Sequence, residues 1–170
     1  MRLIKKKIIE NEDVRIDFFT MFIASALFTG YFPFASGTVG SLLAVLFIFI
    51  PGFYNPVVLI TLSAIFFFVG IIVSDRMMQR YGKDPSVVVI DEVVGMWLSL
   101  FIVSVFGLNN IMIVALISFL TFRAFDIIKL FPGNYFDKMD SGKGVMLDDV
   151  VAGVYSGFLS VLLIKVFNYL

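Results

Sequence analysis

The sequence predicts an all-helical bundle embedded in a membrane, and three observations predict it. Of the 170 residues, 60% are hydrophobic and 15% charged, with 21 Phe and a mean hydropathy of +1.01; a soluble domain is about 45–50% apolar and about 25% charged. Charged residues are absent from 18–74, 93–122 and 150–164. Those runs lack the period-2 alternation of a membrane β-barrel. They are also long enough for helices, since a crossing takes about 20 apolar residues. The formal net charge of zero offers no attraction for nucleic acid. With neither cysteine nor histidine, the chain has no disulfide, thiolate or imidazole metal ligand, histidine nucleophile or serine–histidine triad. Chemistry falls to carboxylates, Lys, Arg, Tyr, Ser and Thr, and carboxylates alone suit a hard cation such as magnesium (Mg2+).

The length allows one domain, 1–170. Residues 1–17 mix Arg2, Lys5, Lys6, Lys7 and Arg15 with Glu10, Glu12, Asp13 and Asp17. They do not read as a signal peptide and are expected to form a cytoplasmic tail at the membrane surface. Segment 17–29 either lies along the interface or enters the bundle. Segment 38–50 is short for a span, and so tilted or partly buried. Segment 55–74 fits a span directly. Segment 87–106 fits another with Asp91 and Glu92 in its first turns, and 111–128 a third with Arg123 and Asp126 in its last turns. Segment 145–167 fits a fourth, with Asp148 and Asp149 near its start. Breakers separate the runs at 33–40, 51–56, 107–110 and 132–144. With the tail inside, five crossings place every Lys and Arg except Lys165, twelve of thirteen, on the inner side. Four crossings with a re-entrant first segment satisfy the same count.

That topology gathers the remaining charges at one level: Asp91-Glu92, then Arg123, Asp126 and Lys129, then Asp148-Asp149. Ionisable groups at that depth face one another or water. Carboxylates at helix starts and a cation at a helix end also complement the helix dipole, worth roughly 0.3–1 kcal/mol each. Asp126 breaks that pattern, because it sits near a helix C-terminus and needs a cation. Arg123 and Lys129 each stand three residues away, at a spacing where side chains meet. A structural triad, a metal or a phosphate each accounts for the arrangement. Gly37, Thr38, Gly40 and Ser41 open a helix on the inner side, where backbone N–H groups cradle an anion or simply make a tight turn. Gly142 and Gly144 either admit a ligand close to the backbone or form an ordinary loop. Residues 81–85 read as a turn, and Trp97 as packing.

Four segments carry a resemblance: Gly37-Thr38-Val39-Gly40-Ser41-Leu42, Asp91-Glu92-Val93-Val94-Gly95-Met96-Trp97, Phe122 to Lys129 with Pro132, and Gly142 to Gly153. In order and spacing they are similar to the phosphatidylglycerophosphatase A type of bacterial membrane lipid phosphatase, over roughly residues 20–160. Ser36 stands where that family has Pro, and Lys129-Leu130-Phe131-Pro132 where it has Lys-Pro-x-Pro; every charged position is kept. The resemblance implies about six helices, one surrounded by the others. It also implies an Mg2+-dependent hydrolase that converts phosphatidylglycerol phosphate to phosphatidylglycerol in glycerophospholipid biosynthesis.

Together the residues and the resemblance give a set of expectations. Asp91, Glu92, Asp126, Asp148 and Asp149 are the expected metal ligands, with catalysis by Glu92, Asp126, Asp148 and Asp149 and a base among these acids. Arg123, Lys129, Gly37, Thr38, Gly40, Ser41, Gly142 and Gly144 are expected at the substrate phosphate. Water, rather than a carboxylate nucleophile, is the expected attacking group. The expected partner is a phospholipid in the cytoplasmic leaflet, with no nucleic acid and no obligate protein partner. The expected location is the inner membrane, multi-pass, with the site facing the cytoplasm. A transporter or a non-catalytic membrane protein is the alternative; charges at one bilayer face instead of the midplane argue against transport.

Overall fold

Asp17 begins the helical part of the chain. Its carboxylate accepts from the Thr20 amide at 2.9 Å and the Thr20 hydroxyl at 2.6 Å. These bonds cap α1 (Phe18–Ala24) and hold the Asp17 carboxyl below its ordinary range. A computed structural model describes residue 11 and residues 13–169, so most of the expected tail, 1–10 and 12, lies outside the described residues. Among the described residues every regular element is helical: α2 (Ser36–Leu46), α3 (Pro56–Tyr81), α4 (Ile90–Val105), α5 (Ile111–Ile128), α6 (Gly133–Phe136) and α7 (Gly142–Tyr169), with short 3-10 turns at Thr29–Tyr31 and Phe47–Phe49.

The boundaries have local causes. Asn55 caps α3 by accepting from the Val57 amide, and Pro56 takes the first position, where no amide is needed. Asn110 caps α5 in the same way. The α5 end comes at Lys129, which turns left-handed at φ 50° and donates its amide to the Phe125 carbonyl.

At the centre is α4. Eleven of its sixteen residues are buried, and it touches α7 most extensively, then α3, α2 and α5. The expected arrangement of one helix surrounded by others is therefore present. Gly95 and Gly153 make the α4–α7 crossing close. A side chain at Gly153 would strike the Gly95 backbone, and one at Gly95 the Phe122 ring and the Asp149 carbonyl. Trp97 packs edge-on against Phe47, Phe53 and Phe66 and donates to the Ala44 carbonyl at 3.1 Å. Deeper still, a buried hydroxyl chain ties three helices: Ser99 to Ser156 at 2.7 Å, Thr121 to Ser156 at 3.0 Å and Thr121 to Ser160 at 2.7 Å. Such bonds join helices where apolar contact alone cannot tell helix from lipid.

Three helical stretches are long and apolar enough to cross a membrane: α3, α5 and Gly142–Phe167 of α7. At 1.5 Å per residue, α4 and α2 reach about 24 and about 17 Å, short of the roughly 30 Å hydrocarbon core. Three expectations shift. First, α3 continues past the 55–74 span to Tyr81, a residue expected in the 81–85 turn, and carries Asp75, Arg76 and Arg80 on its end. Second, Gly142 and Gly144 are helical, so Asp148 and Asp149 lie almost two turns inside α7 rather than at its start. Third, α6 interrupts the stretch read as a break.

Candidate active site

Every acidic side chain expected at the site comes to one end of the bundle. The first turn of α4 brings Asp91 and Glu92, and α7 brings Asp149. Ligand oxygens of these three lie within 4.8 Å of one another. Asp91 is 9% exposed and Asp149 3%. Among the described residues, Asp91 Oδ1 and Glu92 Oε2 are buried without a hydrogen-bond partner. Buried oxygens left in that state cost stability unless something else satisfies them. A cation does so, and three carboxylates drawn within its reach are a donor set that could hold one.

The other two acids are engaged by cations. Arg123 meets Asp126 at 2.7 Å and also donates to Ser41 Oγ at 3.2 Å. Ser41 in turn donates to the Gly37 carbonyl at 2.8 Å. Gly37 is where α2 leans on the site, since a Cβ there would run into the Glu92 carboxylate. The first turn of α2, including Gly37 and Thr38, has no side-chain cap. Gly40 fits against Val89 just ahead of α4.

Lys129 does not pair with Asp126. Its left-handed turn carries it across to Asp148, at 2.6 Å, and to Asp137. Burial works against its charge, but Asp148 and Asp137 outweigh that and hold the ammonium above the usual lysine range.

The five acids and Lys129 line an open cavity of about 440 Å³, together with Asp84, Ile127 and Asp137. Two of its acids escaped the sequence reading. Asp84 sits in the α3–α4 loop at φ 49°; Asp137 follows α6. Lys83 Nζ donates to the Lys138 carbonyl at 2.8 Å, so the two loops meet. Their one sequence signal was an acidic residue in a chain with few charges. Of the residues expected at the phosphate only Lys129 lines the cavity; Arg123, Gly37, Thr38, Gly40, Ser41, Gly142 and Gly144 are not among the lining residues. Gly142 donates to Asp75 and lies against the α3 backbone; Gly144 donates to the Ser141 carbonyl at 2.9 Å and packs on 136–139.

Carboxylates around an open cavity, with Arg and Lys beside them, at one end of an apolar helical bundle define a membrane protein with a charged site that could hold a cation. The comparisons with known proteins make the class specific. The model of the family Phosphatidylglycerophosphatase A matches residues 22–164. The chain is 34% identical over 139 residues to the Escherichia coli phosphatidylglycerophosphatase A, covering 75% of this chain and 73% of that one. It is 33% identical over 125 residues to the Haemophilus influenzae protein of the same name, covering 72% and 74%. It is 36% identical over 150 residues to a Bacteroides thetaiotaomicron protein provisionally named phosphatidylinositol-3-phosphatase, covering 85% and 93%. No solved structure matches significantly. The chain belongs to the phosphatidylglycerophosphatase A family and is a phosphatase.

Proposed function

We propose that the chain removes the terminal phosphate of phosphatidylglycerol phosphate, releasing phosphatidylglycerol and inorganic phosphate, as a step of glycerophospholipid biosynthesis. The whole chain acts as one phosphatase domain, multi-pass in the inner membrane, with the acidic cavity at the cytoplasmic leaflet. The observation that carries this reading is the trio Asp91, Glu92 and Asp149, with two buried carboxylate oxygens left without partners. An all-oxygen donor set fits Mg2+, and these three residues would hold it. When bound, Mg2+ supplies positive charge to the phosphoryl oxygens and Lewis acidity.

The chain's own groups do the rest. Arg123, fixed by Asp126 and Ser41, offers its planar fork to two phosphate oxygens. Lys129, in the cavity lining, adds a point charge. The uncapped amides at Gly37 and Thr38 add donors, and Gly40 and Ser41 set how closely α2 approaches. Asp126 and Asp148 line the cavity outside the tight trio, and the general base is one of these two. It takes a proton from the attacking water as the phosphorus–oxygen ester bond breaks. The carboxylic acid so formed returns that proton to the departing alkoxide, which leaves as the free hydroxyl of phosphatidylglycerol. Phosphoryl transfer depends mainly on positioning and charge stabilisation, so the chemistry does not require histidine.

A second headgroup competes, because the relative named for phosphatidylinositol 3-phosphate is the one matched over 93% of its length. The test is phosphate release by purified protein in mixed micelles, with Mg2+ or with chelator. Phosphatidylglycerol phosphate, phosphatidylinositol 3-phosphate, phosphatidic acid and a soluble phosphomonoester are compared side by side. The expected result is Mg2+-dependent release, fastest from phosphatidylglycerol phosphate. Equal rates on all four would defeat the headgroup assignment. Asp126→Asn and Asp148→Asn should each abolish release while inserting normally; full activity in either removes that residue from the mechanism.

A further inference from the structure

Eight of the nine residues that line the acidic cavity are ionisable, and the ninth is Ile127. Ile127 is also 68% exposed, while the side chain of its neighbour Asp126 is 14% exposed. Adjacent helical positions point about 100° apart, so within one residue the α5 wall passes from charged interior to apolar exterior. That exterior continues through Ile128 and Phe131, 62% and 74% exposed. Contacts between neighbouring elements brace the rest of the site. Arg123 and Ser41 tie α5 to α2, Gly37 leaves no gap over Glu92, and Lys83 ties the two loops together.

We infer that the substrate enters sideways past Ile127, with its phosphate passing to the acids and cations while its diacylglycerol end stays on Ile127, Ile128 and Phe131 in the lipid. This deepens the proposed hydrolysis of a lipid phosphate and rests on it. A soluble phosphate ester gains nothing from an apolar lip on a charged cavity. A lipid-anchored one needs such a lip, because its headgroup must reach the acids while its chains stay in hydrocarbon. Ile127 is then a residue that selects bilayer-held substrate.

The chain has no cysteine, so Ile127→Cys carries the sole thiol and takes a single fluorophore. Leu116→Cys, also on α5 and 60% exposed, is the control about 16 Å deeper along the helix. The quenchers are a non-hydrolysable phosphonate analogue of phosphatidylglycerol phosphate with brominated acyl chains, and brominated phosphatidylcholine at the same mole fraction. The analogue should quench the label at 127 at least about two-fold more, with no difference at 116, since only a bound headgroup concentrates those chains there. Equal quenching at 127, or the same preference at both positions, overturns the portal.

A kinetic arm stands beside it. Ile127→Ser should raise the apparent KM for vesicle-held phosphatidylglycerol phosphate about ten-fold, the loss of apolar contact worth roughly two methylenes. Its kcat should stay near wild type, and Ile127→Leu should restore KM. A fall in kcat at unchanged KM would mean that Ile127 only props Asp126, and would sink the portal. Wild type that releases no phosphate from any lipid sinks the hydrolytic reading instead, and the quenching result still decides whether a lipid phosphate binds there.

Discussion

Replacing Lys129 with Met tests how the ion cluster is held. Lys129 has two carboxylate partners in different surroundings: the Asp148 side chain is 8% exposed and that of Asp137 is 38%, while that of Lys129 is 31%. Removing one partner of a fully buried pair costs about 3–5 kcal/mol, whereas exposed pairs are worth about 0–1 kcal/mol. Lys129–Asp148 falls between these limits, at roughly 2 kcal/mol, and Lys129–Asp137 at no more than about 1 kcal/mol. Lys129→Met should therefore destabilise by about 3 kcal/mol in total. The assay is equilibrium unfolding in mixed micelles under chelator, run as two double-mutant cycles with Asp148→Asn and Asp137→Asn. The 129–148 coupling should be about twice the 129–137 coupling. A cycle in which Asp137 couples as strongly as Asp148, or a Lys129→Met protein as stable as wild type, would refute the reasoning.

The pH dependence of that cluster has a fixed sign. The lysine pKa is raised in the fold, so the Lys129 charge is present below the unfolded value of about 10.4 and is lost only above it; the stability difference between wild type and Lys129→Met should begin to shrink only above about pH 10.4. Asp91→Asn or Asp149→Asn should abolish binding of Mn2+, used as a paramagnetic probe for Mg2+; undiminished binding in both would dissolve the proposed metal site. Gly95→Ala should lower stability by at least about 1–3 kcal/mol through overpacking against Phe122 and the Asp149 carbonyl, read by unfolding in micelles. Ser156→Ala should cost only about 0.6 kcal/mol and leave phosphate release intact; lost activity would give the hydroxyl chain a role beyond packing.

Helices were legible because hydropathy and caps are local. The α5 boundaries 111–128 follow from Asn110, an uninterrupted apolar run and the charges at its end. The acids of α4 and α7 were legible as well, because a charge in an oily segment stands out. The partner of Lys129 was not. Spacing of three assumes that the helix continues, and the left-handed turn at Lys129 breaks that assumption. Gly142 and Gly144 read as loop because glycine usually breaks helices; here they let α7 begin hard against α3 and against 136–139, a contact between distant segments. Asp84 and Asp137 were missed for a related reason. Only the meeting of two loops above the helix ends brings them to the cavity, and no periodicity in the sequence records it.

The glycine crossing of α4 and α7 has a consequence for motion during turnover. Asp91 lies one turn before Gly95 and Asp149 one turn before Gly153, with backbone against backbone at the crossing. Bare main chain there has no slack to absorb a scissoring of the two rods, so the gap between those carboxylates is gauged by the scaffold. Any opening and closing in the catalytic cycle must then come from the loops around Asp84 and Asp137, while the helical frame stays still.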